Sequence, residues 1–168
     1  MKRIFLSVVF GVYSLFLISS CHEAPAPAAS QPEKTAAAAD TPVYYLFRPE
    51  VEMQYGYSHA VLLGDHLVIS GAVSMDDKGV IVGAGNMELQ MKNCYSDLIK
   101  ILQHFGYTID DVYKENIYTT NMKDFINVSG YRNSLYKKNF PTGTWLEVKG
   151  LALDGQLIEI DMEARKSK

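Results

Sequence analysis

The strongest periodic pattern in the chain lies between residues 86 and 106. Asn86 is placed to cap the first turn of a helix there, and Gly106 stands where a helix commonly ends. The pattern predicts a long amphipathic helix, and a similar one predicts a second helix of about four turns from Phe125 to Tyr136. The apolar face of the first helix consists of Met87, Met91, Cys94, Leu98, Ile101 and Phe105.

Short runs of β-branched, aromatic and aliphatic residues predict strands on both sides of the first helix. Gly64 and Asp65 predict a two-residue hairpin turn between two of these runs. Pro42 and Pro49 flank the first run, which favours an edge strand. The predicted strands are residues 43–47, 57–63, 66–73, 80–82, 112–120, 144–148 and 156–163.

The last predicted strand has two different faces. Ile158, Ile160 and Met162 alternate with Glu159, Asp161 and Glu163, so one face is apolar and the other is acidic. The order of the elements predicts an α+β domain in which two helices cover one face of a mixed β-sheet. Since two helices cover only one face, the other is exposed to water or buried by another subunit.

A corner follows the second predicted helix. Pro141 prevents the helix from continuing, because proline lacks a backbone N–H and crowds the preceding turn. Gly143 then allows the backbone unusual freedom, and the only tryptophan, Trp145, comes two residues later. A loop of this composition between a helix and a strand predicts a pocket.

Residues 1–20 have the pattern of a secretory signal: Lys2 and Arg3 precede an apolar run that ends at residue 17. The following Ile-Ser-Ser-Cys sequence resembles the bacterial lipobox, in which the cysteine, here Cys21, is acylated and becomes the new N-terminus. Two alternatives stay open, an ordinary signal peptide and an uncleaved anchor, although the run is short of the roughly 20 residues that span a bilayer. The favoured prediction is an exported bacterial lipoprotein, anchored to a membrane at Cys21 on the periplasmic side or in the outer membrane.

Residues 21–42 are rich in Ala and Pro and predict a tether, which leaves residues 43–168 as one domain. Loss of Lys2 and Arg3 takes the formal charge from −3 to −5, which argues against nucleic acid as a partner. With Cys21 acylated, Cys94 has no disulfide partner; a small buried hydrophobe is favoured over a reactive thiol. The four histidines lack ligand spacing, so no metal site is expected.

Five segments in register resemble the Rid family (reactive intermediate deaminases, also called YjgF-like). Each is a weak match alone, but their order and spacing agree over nearly the whole predicted domain. They are Tyr57-Ser58-His59-Ala60-Val61, Val68-Ile69-Ser70-Gly71, the turn from Tyr118 to Phe125, the corner from Phe140 to Val148, and Ile158-Glu159-Ile160.

The resemblance implies a chorismate-mutase-like fold and a homotrimer whose sheets face inward. That assembly would bury the second face of the sheet and form three clefts at the subunit interfaces. In active family members, these clefts bind a 2-imino acid and hydrolyse it to a 2-oxo acid and ammonia, without a metal or an organic cofactor. The implied partners are therefore the chain itself and a small imino, enamino or carboxylate metabolite.

The resemblance also assigns residues to the cleft. Tyr57 matches the family's cleft tyrosine, Ser70 matches the serine at the end of a strand, and Glu159 matches the glutamate that holds the attacking water or the imine nitrogen. The corner at Gly143 and Thr144 matches the wall that carries the family's substrate-binding arginine. Here Gly143 replaces that arginine, and so a bidentate contact to a carboxylate is lost.

Two further positions depart from the family pattern: Ser129 replaces a helix asparagine and His59 replaces a glutamine. A surface or interface imidazole is favoured for His59, although a histidine there would also supply a cation or proton acceptor in place of the arginine. Arg132 is a further candidate for a displaced anion-binding group, and Trp145 is expected to pack at a subunit interface. For Glu159, a general base and a merely solvated carboxylate stay open.

Two functions remain from the sequence. The favoured one is a trimeric protein that binds a small metabolite, because the carboxylate-binding arginine is missing and reactive imines arise in the cytoplasm rather than outside it. The alternative is a hydrolase of imine-like substrates of the 2-iminobutanoate or 2-iminopropanoate type, in which Glu159 positions water and another donor replaces the arginine.

Overall fold

One six-stranded mixed sheet organises the protein in the computed structural model, which describes residues 41–166. The predicted signal peptide, Cys21 and the tether up to residue 40 lie outside the described residues. No helix among residues 41–166 is long and apolar enough to cross a membrane. In chain order, the elements are β1 (Val43–Tyr45), α1 (Pro49–Tyr55), β2 (Ala60–Leu63), β3 (His66–Val73), α2 (Met87–His104), β4 (Val112–Thr119), α3 (Met122–Val128), α4 (Gly130–Leu135), β5 (Thr142–Glu147) and β6 (Ile158–Arg165).

The strands lie in the order β1-β2-β3-β6-β4-β5, so the last strand of the chain is inserted near the middle of the sheet. All neighbours pair antiparallel except β4 and β5, which are parallel and joined through α3 and α4. Gly64 and Asp65 form the predicted hairpin turn between β2 and β3, with Gly64 at φ 61°. The predicted α+β fold and the edge position of β1 are confirmed.

The core lies between α2 and the sheet. Asn86 caps α2 as predicted, because its side-chain oxygen accepts a hydrogen bond from the backbone N–H of Leu89 at 3.0 Å. Cys94 is fully buried on the inner face of α2, and burial raises the pKa of its thiol, so it packs as a small hydrophobe. The residues that meet across this layer include Met91, Leu98, Ile101, Ile158, Ile160 and Met162, all without solvent exposure.

Several predicted elements differ from the structure. Residues 80–82 do not form a strand; Ile81 makes only an isolated bridge to Met75. The second helix is two short ones, because the Ser129 hydroxyl donates to the carbonyl of Ile126 at 2.8 Å and Gly130 follows it. Residues 49–55, for which no element was predicted, form the helix α1.

A buried carboxylate on the sheet binds side chains of α2, of α4 and of the residue after α4. Glu115 on β4 is 1% exposed and accepts hydrogen bonds from the hydroxyls of Tyr95 (2.8 Å) and Tyr136 (2.6 Å) and from Nε of Arg132 (2.7 Å). Burial, together with this carboxylate, holds the pKa of both tyrosines well above the ordinary value. Breaking such a buried, fully bonded ion pair costs about 3–5 kcal/mol.

Gly143 lies where β5 approaches β4 unusually closely. A β-carbon on residue 143 would stand 1.6 Å from the backbone carbonyl oxygen of its β4 neighbour, Glu115. The obstacle is backbone rather than a side chain that can rotate away. The position therefore excludes every residue except glycine unless one of the two strands moves.

We expect Gly143→Ala to lower the free energy of unfolding by about 1–3 kcal/mol, because overpacking against a fixed backbone forces the strands apart. Gly130→Ala is the matched control: an added β-carbon on this exposed helical glycine meets nothing within 4 Å. That variant is expected to be neutral or to gain up to about 1 kcal/mol from helix propensity. Urea unfolding of both proteins measures the difference, and equal stabilities would contradict the close approach of β5 to β4.

Candidate functional site

A cleft of about 380 Å³ opens where the end of β3 meets the start of β6. The helix α1 forms one wall and the segment from Ala152 to Gln156 forms the other. This volume is in the range that suits a small-molecule ligand. The apolar residues of its lining are Val51, Tyr55, Val73, Met75 and Leu153, and its polar side chains are Tyr57, Ser70, Gln156 and Glu159.

Glu159 reaches the cleft because Gly71, two residues along β3 from its register partner Val73, leaves space for its side chain. The ladder between β3 and β6 is irregular between Ile69 and Ala72, and Gly71 lies in that irregularity. A β-carbon on Gly71 would stand 1.8 Å from Oε1 of Glu159, so only glycine leaves room for the carboxylate against β3. The side-chain oxygens of Glu159 make no hydrogen bond to any other residue between 41 and 166. Burial, followed by the nearby Asp161, raises the pKa of Glu159.

Tyr57 and Ser70 lie beside Glu159 in the cleft. The Ser70 hydroxyl donates to the carbonyl of Ser58 at 2.9 Å, and the Ser70 amide donates to the carbonyl of His59 at 2.8 Å. Ser70 therefore holds in place the segment that carries Tyr57, while its hydroxyl oxygen can still accept a hydrogen bond. Burial and then the Glu52 carboxylate raise the pKa of Tyr57, so its phenol stays protonated and is a donor.

His59 lies behind the cleft and not at the surface, so the favoured expectation of a surface or interface imidazole was wrong. Its side chain is 4% exposed, and its Nδ1 pairs with Oε1 of Glu52 at 2.8 Å. Burial lowers the pKa of His59 and outweighs the opposing effect of Glu52, so the imidazole is neutral near pH 7. A neutral, buried ring does not replace the family's arginine.

The remaining predicted site residues lie elsewhere in the subunit. Gly143 and Thr144 are on β5, at the far edge of the sheet and two strands from β6. Ser129 is at the break between α3 and α4. Within one chain the structure therefore brings together Tyr57, Ser70 and Glu159, and any contribution from the other three residues would come from a second subunit.

The lining of the cleft contains no lysine, arginine or histidine. Arg132, a candidate for a displaced anion-binding group, is instead paired with buried Glu115 at 2.7 Å. Arg48 also has partners: its guanidinium donates to Oδ2 of Asp97 at 2.6 Å and to the carbonyl of Met75 at 3.0 Å. Within residues 41–166, no group of three or more potential His, Cys, Asp or Glu ligands is placed to hold a metal ion.

The sequence reasoning missed three parts of the site: the α1 wall, the segment that ends at Gln156, and the role of Gly71. Gly71 left a signal, because a glycine inside a strand pattern often marks a bulge or a close approach. The helix α1 left another, because Pro49 at its start is followed by Glu50 and Glu52 in its first turn.

A family model and several known proteins match this chain, and they point to the same family. A family model described as endoribonuclease L-PSP matches residues 48–166. A RutC family protein of Saccharolobus solfataricus is 32% identical over 111 residues, 66% of this chain and 87% of that protein. The human 2-iminobutanoate/2-iminopropanoate deaminase is 29% identical over 108 residues, 64% of this chain and 78% of the human protein.

Solved structures agree on the fold. A member of the YjgF/YER057c/UK114 family from Mycobacterium tuberculosis superposes with a TM-score of 0.65 at 25% identity, covering 75% of this chain and all of that one. A putative endoribonuclease from Thermotoga maritima gives a TM-score of 0.61 at 28% identity, covering 67% of this chain and 87% of that one.

We expect Glu159→Gln to raise the melting temperature at pH 7.5 by roughly 1–3 °C. A carboxyl group whose folded-state pKa is raised binds its proton more tightly when folded, so stability falls as the pH rises through that pKa. Below the unfolded pKa both states are protonated, and the gain should disappear near pH 4. Differential scanning fluorimetry across this pH range measures the effect.

Glu163→Gln, on the same face of the same strand, is the matched control of opposite sign. Hydrogen bonds from Lys114 and Tyr113 lower the pKa of Glu163 to about 2, so its ionised form stabilises the fold above the unfolded pKa, and this is lost as the pH falls towards 2. This variant should melt lower than the wild type at pH 7.5. If both substitutions lower the melting temperature, Glu159 is a structural carboxylate.

Proposed function

The chain belongs to the endoribonuclease L-PSP family, the family that includes the Rid and RutC proteins, and we propose that it is a homotrimeric protein that binds a small metabolite in the Tyr57–Ser70–Glu159 cleft. The observation that carries the proposal is the convergence of these three side chains on one cleft although they are up to about a hundred residues apart in sequence. Such convergence of a few polar groups within apolar walls is typical of ligand sites.

The trimer is proposed from the family and from the surface of the sheet. All six residues of β5 are exposed in the single chain, and Leu146 on this strand is 47% exposed. Exposed apolar side chains along an edge strand favour burial against another copy of the chain. An inter-subunit cleft would also bring β5 of a neighbouring subunit, with Gly143 and Thr144, towards the site.

Imine hydrolysis is the second candidate, and one observation favours it. Glu159 is half-buried and without a hydrogen-bond partner among residues 41–166, and its pKa is raised, which suits a group that positions or activates water. The human relative is named as a 2-iminobutanoate/2-iminopropanoate deaminase. Against it, the cleft lining provides no cation for the carboxylate of an imino acid, and position 143 cannot hold an arginine while the strands stay in place.

RNA cleavage, which the description of the family model suggests, is not proposed. The chain has a formal charge of −3, and the only ionisable groups in the cleft lining are carboxyl and phenol groups. A phosphodiester backbone is bound chiefly through lysine and arginine.

The test is ammonia release from 2-iminopropanoate generated in situ, using protein whose mass in solution has been measured by light scattering. We expect a mass of three chains and ammonia release no faster than in buffer alone. Clear activity in the wild type that Glu159→Gln abolishes would establish the hydrolase instead. Gly143→Arg is not a useful gain-of-function variant, because its β-carbon alone would collide with the Glu115 carbonyl.

We further propose that the protein is exported and acylated at Cys21, on the strength of the N-terminal pattern of residues 1–21. In cells fed labelled palmitate, the wild type should take up the label and Cys21→Ala should not. Cys94→Ala is the control and should keep the label, because Cys94 is fully buried in the core. Labelling of Cys21→Ala would contradict the lipoprotein assignment.

A further inference from the structure

The electrostatic character of the cleft is negative. Glu159 lies in the lining, and burial, followed by the charge of Asp161 two residues along β6, raises its pKa. Glu52 and Glu159 both act in the same direction on Tyr57. Arg48 acts on Tyr57 in the opposite direction, and it is engaged by Asp97 at 2.6 Å and by Asp77 at 3.5 Å. A second negative charge brought by a ligand would therefore meet repulsion, and the lining contains no cation to offset it.

Glu159 and Ser70 present acceptors to the cleft, whereas the Tyr57 hydroxyl and the Gln156 side-chain amide can donate. An ionised carboxylate only accepts, and both oxygens of Glu159 lack a partner within residues 41–166. The Ser70 hydroxyl donates its hydrogen bond to the carbonyl of Ser58, so towards the cleft the Ser70 oxygen can only accept. The groups that would best satisfy Glu159 and Ser70 are N–H donors, and charged ones bind a carboxylate more strongly than neutral ones.

The walls add an apolar and aromatic surface. Val51, Val73, Met75 and Leu153 line the space around Glu159, together with the rings of Tyr55 and Tyr57. Aliphatic walls favour a hydrocarbon group on the ligand, and tyrosine faces attract cations. The lining therefore matches a molecule with a cationic nitrogen at one end and a short apolar chain at the other.

A carboxylate-binding group is blocked at the position where it would be expected. The β-carbon of any side chain at residue 143 would stand 1.6 Å from the Glu115 carbonyl oxygen. Another subunit of the same sequence meets the same obstacle on its own β5. The departure from the family pattern is therefore fixed by the path of the backbone as well as by the identity of one residue.

We propose that the cleft selects a small protonated amine, or a similar cationic nitrogen compound, that carries an apolar group and no carboxylate. The proposal rests on the proposed function, since it takes this cleft to be the binding site. Glu159 accepts the N⁺–H hydrogen bonds, Gly71 leaves room for its carboxylate, and the wall of α1 contacts the hydrocarbon.

The test compares three probes that share one carbon skeleton and differ in the head group: 3-methylbutylamine, 3-methylbutan-1-ol and 3-methylbutanoate. Binding to the assembled protein at pH 7.5 is measured by titration calorimetry, so any group from a neighbouring subunit is included. We expect the amine to bind at least about tenfold more tightly than the alcohol, since a charge-assisted hydrogen bond is roughly twice as strong as a neutral one. The carboxylate should not bind detectably.

Two variants should remove the preference. Glu159→Gln should lower the amine affinity to that of the alcohol. Gly71→Ala should do the same, because the added methyl group displaces the carboxylate. Asp161→Asn is the matched control: it removes a charge from the same face, and Asp161 Oδ1 accepts a hydrogen bond from Asn116 at 2.9 Å. We expect it to change the amine affinity less than threefold, a loss of roughly 0.65 kcal/mol or less.

Circular dichroism shows whether Gly71→Ala folds. If it does not fold, Glu159→Gln alone tests whether the Glu159 carboxylate causes the preference for the amine. Binding of 3-methylbutanoate as tightly as the amine would overturn the proposed ligand class while leaving the cleft as a binding site. Equal affinity of the amine for the wild type and for Glu159→Gln would overturn it as well. Failure of all three probes to bind would count against both the ligand class and the proposed binding function.

Discussion

The hydrogen-bonded pairing of buried Glu115 with Arg132 is the interaction on which the arrangement of sheet and helices depends. Burying a carboxylate costs free energy unless hydrogen-bond donors surround it. The donors to Glu115 are the hydroxyl of Tyr95 on α2, the guanidinium of Arg132 on α4 and the hydroxyl of Tyr136, the residue after α4. The guanidinium of Arg132 also lies 5.4 Å from the ring centre of Phe140 and 5.7 Å from that of Trp145. One buried charge thus holds two helices against β4 and positions the corner that leads into β5. The hydrogen bonds that the Glu115 carboxylate accepts all come from side chains of the fold.

Three glutamates of the described chain, Glu52, Glu115 and Glu159, differ in how far their charge is matched. Glu52, with no solvent exposure, accepts from the backbone amides of Phe47 and Arg48 and pairs with His59. Glu115 is matched in the same way by side chains. Glu159 alone among the three has no hydrogen-bond partner within residues 41–166. Its pKa is raised because burial disfavours its ionised form. Carboxylates kept unmatched at the edge of a cleft are a common feature of functional sites, because stability is sacrificed for a group that a ligand will satisfy.

Sequence reasoning succeeded where burial follows a local period and failed where a contact is made across the fold. The inner face of α2, the Asn86 cap and the alternation along β6 depend on neighbours within a few residues, so they were predictable. The helix α1 was missed because one of its two buried residues, Glu52, is polar and bonds to His59 and to backbone amides outside the helix. His59 was expected at the surface or at an interface for the same reason, since nothing in its local sequence reveals that partner. Of the site, Tyr57, Ser70 and Glu159 came from the family resemblance, and no periodicity links strands about 90 residues apart.

The glycine at position 143 has a different meaning in the structure from the one it has in the sequence. In the sequence, Gly143 occupies the position of the family's arginine, and a single substitution would restore that arginine. In the fold it is the residue that allows β5 to approach the Glu115 carbonyl, so restoring a side chain requires β5 or β4 to move. Since Glu115 is itself fixed by the buried ion pair, the strand that would have to yield is β5, whose six residues are all exposed. The same buried charge that orders the helices therefore fixes the strand that closes position 143 to a side chain unless β5 moves. The proposed absence of a carboxylate from the ligand rests on this packing.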